Sequence, residues 1–335
     1  MDFPRRFRWT CGWNACCAAT TGRVTGGICA VCNRAQSNTS ARSRATRNNT
    51  CFITSGRRTA VLRRVMSQTV VLTRIGFPPT HCMSCQVEIL FTPAEFRELP
   101  AAKLTGTTCV VFDVLRATST FITALANGAH AIIPVATIAE ALAAKQIFPD
   151  ALLAGERNGL RIGASQSGGV EFDLGNSPRE FLPARVAGRT IISTTTNGTR
   201  ALRACAAAGR VLAGSWLNLA ATCDYVIQRN IQRLLLVCAG TGEDLALEDA
   251  FAAGNFCDLL ATHPRFEFSD SARVGLKLFH AASADLTTEV KSAANARRLL
   301  ANAALRDDLE FCLGVNRFPI IAGMDASGKI TRLSE

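Results

Sequence analysis

The sequence predicts an α/β protein of three layers, α/β/α, around a mainly parallel (mixed) sheet. Three observations carry that reading. From Thr108 onward, apolar strand-like runs alternate with runs of helical period, the pattern of βαβ units. A 48% hydrophobic share of 335 residues supplies a real core. Polar clusters recur where a strand gives out and the chain turns toward a helix, where open α/β sheets bind their ligands.

The front of the chain differs from the rest. Residues 1–82 hold 13 Arg, no Lys and a single acid, Asp2, for +12 of the overall formal charge of +11. The body has 24 bases against 25 acids and is close to neutral. Residues 1–82 show neither a helical nor a strand period, and most are expected to be disordered. Cys29 and Cys32, and Cys82 and Cys85, form two CxxC pairs, but their separation exceeds that of a zinc ribbon. Arg-rich, acid-poor composition also resembles a transit peptide, and charge alone allows a nucleic-acid tail. The favoured expectation is an over-extended reading frame, with the domain at 83–335 and no nucleic-acid partner. Seven further cysteines, from Cys85 to Cys312, are scattered through the body. That dispersion argues for reduced thiols and a cytoplasmic setting. No window reaches the roughly 18 apolar residues of a membrane span, so no membrane partner is expected.

Taken in order, the body opens on a strand at 87–91. A strand at 108–113 leads to a helix at 120–127, and a strand at 131–135 to a helix at 138–147. The strand at 152–155 is followed by a long polar loop. Strands at 190–194, 211–213 and 234–238 precede helices at 199–208, 219–228 and 247–260. Helices are expected at 270–281, 289–305 and 306–313, then a hairpin of 318–324 with 329–333 around Ser327-Gly328.

The chemistry gathers at the strand ends. Val110–Thr120 reads VVFDVLRATST: a buried strand ends on Asp113, Arg116 follows, and hydroxyls open a helix. The turn from Thr194 to Arg200 offers Thr195, Thr196 and Thr199 hydroxyls, the Asn197 amide, Gly198 for close backbone approach and the Arg200 guanidinium. Such groups at a helix start suit a phosphate or sulfonate. Cys238 to Gly242 is a second Gly-rich turn, with Gly240 in a candidate anion nest. In the run from Asp173 to Pro178, Ser177 caps and Pro178 takes the first helical position, while Asn176 is a candidate for ligand contact. Asp113, Glu156, Asp173, Glu243, Glu248 and Asp249 form an oxygen-rich set beside cationic groups, which indicates Mg²⁺ over zinc. His130, His263 and His280 are unclustered. No GxxxxGK[ST], DxDxT or GxSxG motif is present. Cys223 and Arg229 have the spacing of cysteine phosphatases, but the five residues between them contain no Gly and carry a helical period.

Five stretches in order, VVFDVLRATST, GERNG, FDLGNSP, TTTNGTRAL and CAGTGEDLALEDAFAAG, closely resemble the 2-phosphosulfolactate phosphatase (ComB) family. The resemblance runs from about Val87 to Leu333. It implies a ComB-like α/β fold and Mg²⁺-dependent hydrolysis of 2-phospho-3-sulfolactate to 3-sulfolactate and phosphate, a step associated with coenzyme M biosynthesis. The loop at 160–171 looks longer than in the shortest family versions. The segment at 291–300 matches only loosely, and no function is carried onto it.

The expected site then has Asp113, Arg116, Glu156 and Asp249 as catalytic groups. Asp113, Glu156, Asp173, Glu248 and Asp249 are the candidate Mg²⁺ ligands. Arg116, Arg157, Arg200, Asn176, Ser177, Thr195, Thr196, Asn197, Gly198, Thr199, Cys238 and Gly240 are expected to bind a small anionic phosphorylated hydroxy acid. The alternatives are a phosphatase for another phosphorylated 2-hydroxy acid and a non-catalytic small-anion binding protein; assembly into a homo-oligomer is open.

Overall fold

A computed structural model describes residues 51–55, 58–62 and 84–334. The chain divides into two units, Met1–Pro78 and Pro79–Glu335. In the first, Cys51–Ser55 (β1) and Arg58–Leu62 (β2) form an antiparallel pair. The sequence reads these ten positions as irregular; the structure pairs them. The rest of the expectation for residues 1–82, including Cys29, Cys32 and Cys82, lies outside the described residues.

The second unit is built on one sheet. Its strands are Cys85–Leu90 (β3), Thr108–Phe112 (β4), Ala131–Pro134 (β5), Leu152–Arg157 (β6), Leu160–Arg161 (β7), Thr190–Thr194 (β8), Arg210–Gly214 (β9), Arg233–Cys238 (β10), Phe266–Phe268 (β11), Ile321–Met324 (β12) and Ile330–Leu333 (β13). They lie in the order β11-β3-β10-β4-β9-β12-β13-β5-β8-β6-β7. Two blocks are internally parallel: β11-β3-β10-β4-β9 and β5-β8-β6. The antiparallel hairpin β12-β13 stands between them, with β12 on β9 and β13 on β5.

Strand periodicity explains the layers. In β10, Leu234, Leu236 and Cys238 face one core, and Leu235 and Val237 face another. The first core is closed by helices Leu219–Gln228 and Leu247–Leu260 through Val226, Phe251 and Phe256. The second is closed by helices Ala117–Ala126 and Gly198–Ala204 through Phe121, Ile122 and Leu202. Both faces of the strand are therefore apolar, as parallel strands between helices require. Helix Ile138–Ile147 covers a smaller core of Leu153, Ile162, Phe172 and Ile192.

One topological expectation needs correction. The carboxyl ends were expected to share one edge of one parallel sheet. Three successive antiparallel pairings (β9-β12, β12-β13, β13-β5) instead run the two blocks in opposite senses. The ends do meet: a side-chain carbon on Gly198, just after β8, would lie 2.6 Å from Asp113 Oδ2, just after β4.

The helical run expected over 289–305 is two helices, Leu286–Ser292 and Ala294–Ala301, with Ala293 extended between them. Burial of Ala293 in the first core outweighs a helix propensity that favours continuation. The long polar loop contains β7 and the short helix Ala164–Ser167. Cys85, Cys109, Cys205, Cys223, Cys238, Cys257 and Cys312 are buried and free of disulfides. Among the described residues, no helix is long and apolar enough to cross a membrane.

Candidate active site

The end of β4 sets the site. Asp113 follows a fully buried strand, and the chain turns at once into helix Ala117–Ala126. The Ala117 amide donates to Asp113 Oδ1 at 3.1 Å, and Thr118 Oγ1 donates to the Asp113 carbonyl at 2.9 Å. The sequence placed the helix start at Thr120; the structure starts it at Ala117, because the Asp113 carboxylate itself caps the first turn. Burial raises the Asp113 carboxyl from 3.8 to about 7. The amides of Ala117 and Gly198 oppose that rise, and the nearby charges of Glu156 and Glu248 add to it.

A cleft of about 620 Å³ opens over this carboxylate. Asp113, Arg116, Glu156, Asn176, Thr196 and Asn197 line it, six of the residues singled out in the sequence. Glu156 ties the loops together: its Oε2 accepts from the Gly159 amide and its Oε1 from the Thr196 amide, each at 2.8 Å. Arg116 is almost wholly buried. Its Nη2 donates to the Gly159 carbonyl at 2.7 Å, and its Nη1 to Asp308 Oδ2 at 2.6 Å. Asp308, fully buried on helix Arg306–Cys312, also accepts from Ser177 Oγ at 2.7 Å and Arg179 Nε at 2.8 Å. Asn197 Oδ1, on the side chain, accepts from the Gly242 amide at 3.1 Å, joining the β8 and β10 turns.

Other predicted residues support the cleft without lining it. Asp249 is buried, and its two oxygens accept from the amides of Val114 at 2.9 Å and Gly240 at 3.3 Å. Burial drives its carboxyl well above the ordinary range, with the charges of Asp113 and Glu248 adding to the rise. Glu248 is also raised by burial; its Oε1 accepts from Asn295 Nδ2 at 2.6 Å, and its Oε2 has no hydrogen-bond partner among the described residues. Thr195 and Thr199 bond to each other across the turn. Ser177 serves Asp308.

Several expectations are not met by the geometry. Asp173 is exposed, and its carboxylate accepts from the Leu153 amide at 2.8 Å; it lies outside the cleft lining. Arg157 turns back to the carbonyls of Glu156 and Thr194 and to Thr194 Oγ1. Arg200 is exposed beside Glu243, at 3.9 Å, and Glu243 also pairs with Arg97. Cys238 is buried at the end of β10, where burial pushes its thiol well up. Gly240 has φ 71°, and a side-chain carbon there would meet Pro93 and the Asp244 carbonyl; its glycine serves the turn. Arg157, Arg200, Cys238 and Gly240, like Asp173, do not line the cleft. Among the described residues, no three His, Cys, Asp or Glu side chains gather into a set that could hold a metal ion.

The sequence reading missed one whole wall. Asn295, Arg298 and Leu299 of helix Ala294–Ala301, with Asn302 and Leu305 beyond it, line the cleft. Asn158, Gly159, Thr241 and Gly242 also line it. Those four sit inside motifs already noted, but the 294–305 wall carried no motif; its recurrence at i, i+3, i+4 was the available signal.

Buried carboxylates, a guanidinium and turn amides gather at one cleft at the ends of the strands. The model of the 2-phosphosulpholactate phosphatase family matches residues 94–326, and the chain belongs to that family. It is 36% identical over 228 residues to a Caldicellulosiruptor saccharolyticus protein named "Probable 2-phosphosulfolactate phosphatase", covering 67% of this chain and 91% of that protein. Proteins of the same name from Caldanaerobacter subterraneus and Carboxydothermus hydrogenoformans are 39% and 35% identical. Their matches cover 63% and 70% of this chain, and 85% and 92% of theirs.

Proposed function

We propose that the chain is a Mg²⁺-dependent phosphatase that hydrolyses 2-phospho-3-sulfolactate to 3-sulfolactate and phosphate, the step associated with coenzyme M biosynthesis. The observation that carries this reading is the meeting of Asp113, Glu156 and the Thr196-Asn197 turn in one cleft, in a chain of this family. The names of the relatives supply the substrate.

The donors fit a hard cation held by few protein oxygens. Asp113 and Glu156 are the two carboxylates lining the cleft, and each oxygen with one amide bond keeps a second lone pair. Asp113, Asp249 and Glu248 are all driven up by burial, a penalty that a cation offsets. Asp113 and Glu156 would hold Mg²⁺, with water and substrate oxygens filling its other positions. When bound, the ion supplies positive charge against the phosphoryl oxygens. Asp249 and Glu248, outside the lining, orient the backbone and Asn295 in place of ligating.

Hydrolysis breaks the ester P–O bond and joins a water oxygen to phosphorus. One water proton ends on the leaving alkoxide, which becomes the 2-hydroxyl of 3-sulfolactate. The Thr196 hydroxyl and Asn197 amide offer donors to the phosphate, and Arg116 fixes the loop that carries Gly159.

Phosphate release from synthetic 2-phospho-3-sulfolactate by purified protein, with Mg²⁺ and with EDTA, tests the reading. Release that depends on Mg²⁺ is expected. Release only from another phosphorylated 2-hydroxy acid moves the assignment to that ester, and binding without turnover leaves an anion-binding protein.

A further inference from the structure

The substrate proposed above carries three anionic groups, and the cations available to receive them are unequal. Arg116 lines the cleft but is almost wholly buried, with both terminal nitrogens engaged by Asp308 and the Gly159 carbonyl. Arg157 and Arg200 face other partners. Arg298 is different. It lines the cleft from helix Ala294–Ala301, its side chain is exposed, and no carboxylate among the described residues lies within ion-pair distance. Among the described residues its side chain makes one hydrogen bond, from Nη1 to Asn295 Oδ1 at 3.2 Å. A guanidinium has five N–H donors, so most of them remain for a ligand.

The position of Arg298 is also prepared. Asn295 gives its Nδ2 to Glu248 Oε1 at 2.6 Å and to Thr241 Oγ1 at 2.7 Å. This anchors the amide whose carbonyl oxygen receives Arg298. The Glu248 carboxylate is buried and feels the Arg298 charge. A chain from Glu248 through Asn295 to Arg298 therefore holds a guanidinium toward the cleft from a wall separate from the strand ends where Asp113 and Thr196 stand. Preorganising a long side chain in this way reduces the entropy lost when it binds.

We infer that Arg298 is the specificity-determining residue for the sulfonate of the substrate, positioned by Asn295 and Glu248. The inference rests on reading the cleft as a phosphatase site. A sulfonate stays ionised at any working pH and offers three acceptor oxygens, which a planar fork meets with two parallel bonds. Phosphate at the strand ends and sulfonate at the helix wall would fix which end of a small ester reacts.

The test compares kcat/KM for 2-phospho-3-sulfolactate and for 2-phospholactate, which lacks the sulfonate, in wild type and Arg298→Ala. Loss of a charge-assisted hydrogen bond predicts that preference for the sulfonated ester falls about 10- to 100-fold, mainly through KM. Arg298→Lys keeps the charge without the fork and should fall between. Asn295→Ala should move the same ratio in the same direction. An unchanged ratio in Arg298→Ala overturns the inference, as does an equal loss on both esters, which would assign Arg298 to the shared carboxylate or phosphate. If wild type hydrolyses neither ester, the activity reading fails separately, and calorimetric binding of 3-sulfolactate against lactate decides the role of Arg298. Sulfolactate binding that Arg298→Ala weakens then upholds it, and binding that does not change, or none in wild type, overturns it.

Discussion

Asp113 sits where burial, not a neighbouring cation, sets its chemistry. Its carboxyl is raised to about 7 in the folded chain and returns to an ordinary value on unfolding. Between about pH 4 and 7 the folded state therefore binds a proton that the unfolded state does not, and stability falls as pH rises through that window. The cost at pH 8 is roughly 4 kcal/mol at most. Asp113→Asn keeps the acceptor for Ala117 and removes the buried charge. It should raise the urea midpoint of the metal-free protein at pH 8, flatten the pH dependence and abolish phosphate release; a lower midpoint would refute the account. A second residue-scale prediction concerns Arg116 and Asp308. Removing one partner of a buried pair typically costs about 3–5 kcal/mol; Asp308→Ala strips Arg116 of its charge partner, whereas Arg116→Ala leaves Asp308 its pair with Arg179. Asp308→Ala should therefore be severe and Arg116→Ala less so, and the double variant should cost less than their sum. Additive losses would mean the two do not depend on each other.

At the scale of elements, the site depends on how closely two helix starts approach. Gly198 opens one helix and Ala117 the other, and a side-chain carbon on Gly198 would stand 2.6 Å from Ala117 Cβ and from Asp113 Oδ2. Neither atom is the free end of a flexible chain. Gly198→Ala should therefore destabilise by about 1–3 kcal/mol, as overpacking does, and displace the Asp113 carboxylate, with loss of turnover. A variant that melts and turns over like wild type would show that the two starts have room to separate. Sequence made the strand and helix of each βα unit legible: helices 138–147, 219–228 and 247–260 are found with those bounds. The break at Ala293 was not legible, since it answers to a core the local sequence does not describe.

At the scale of the molecule, the hairpin β12-β13 joins two parallel blocks that make no direct pairing with each other between β9 and β5. Ala322 and Ile330 are buried in the second core, so the last strands of the chain close its middle. Deleting residues 319–335 should abolish the cooperative unfolding transition seen by circular dichroism. A truncated chain that still unfolds in one sharp step would mean the blocks hold together through their helices. The hairpin itself was foreseen from Ser327-Gly328, but its place between the blocks was not. Turn chemistry is local, whereas strand order depends on which surfaces remain to be covered.

The sequence by itself determined the α/β class, the strand ends as the places where polar groups gather, and the family. Each of those follows from neighbours along the chain: apolar period, caps, and short motifs such as TTTNGTRAL. It also gave Asp113, Arg116, Glu156, Asn176, Thr196 and Asn197, because their motifs end strands or open helices. Only the tertiary structure decided that Arg157, Arg200 and Asp173 face elsewhere, that Arg298 and Asn295 line the cleft, and that the buried Asp308 pairs with Arg116. A guanidinium or carboxylate reads the same in sequence whether it meets a carbonyl, a partner charge or open space. Which of these it meets is fixed by the turns and the helix that the fold gathers around the cleft.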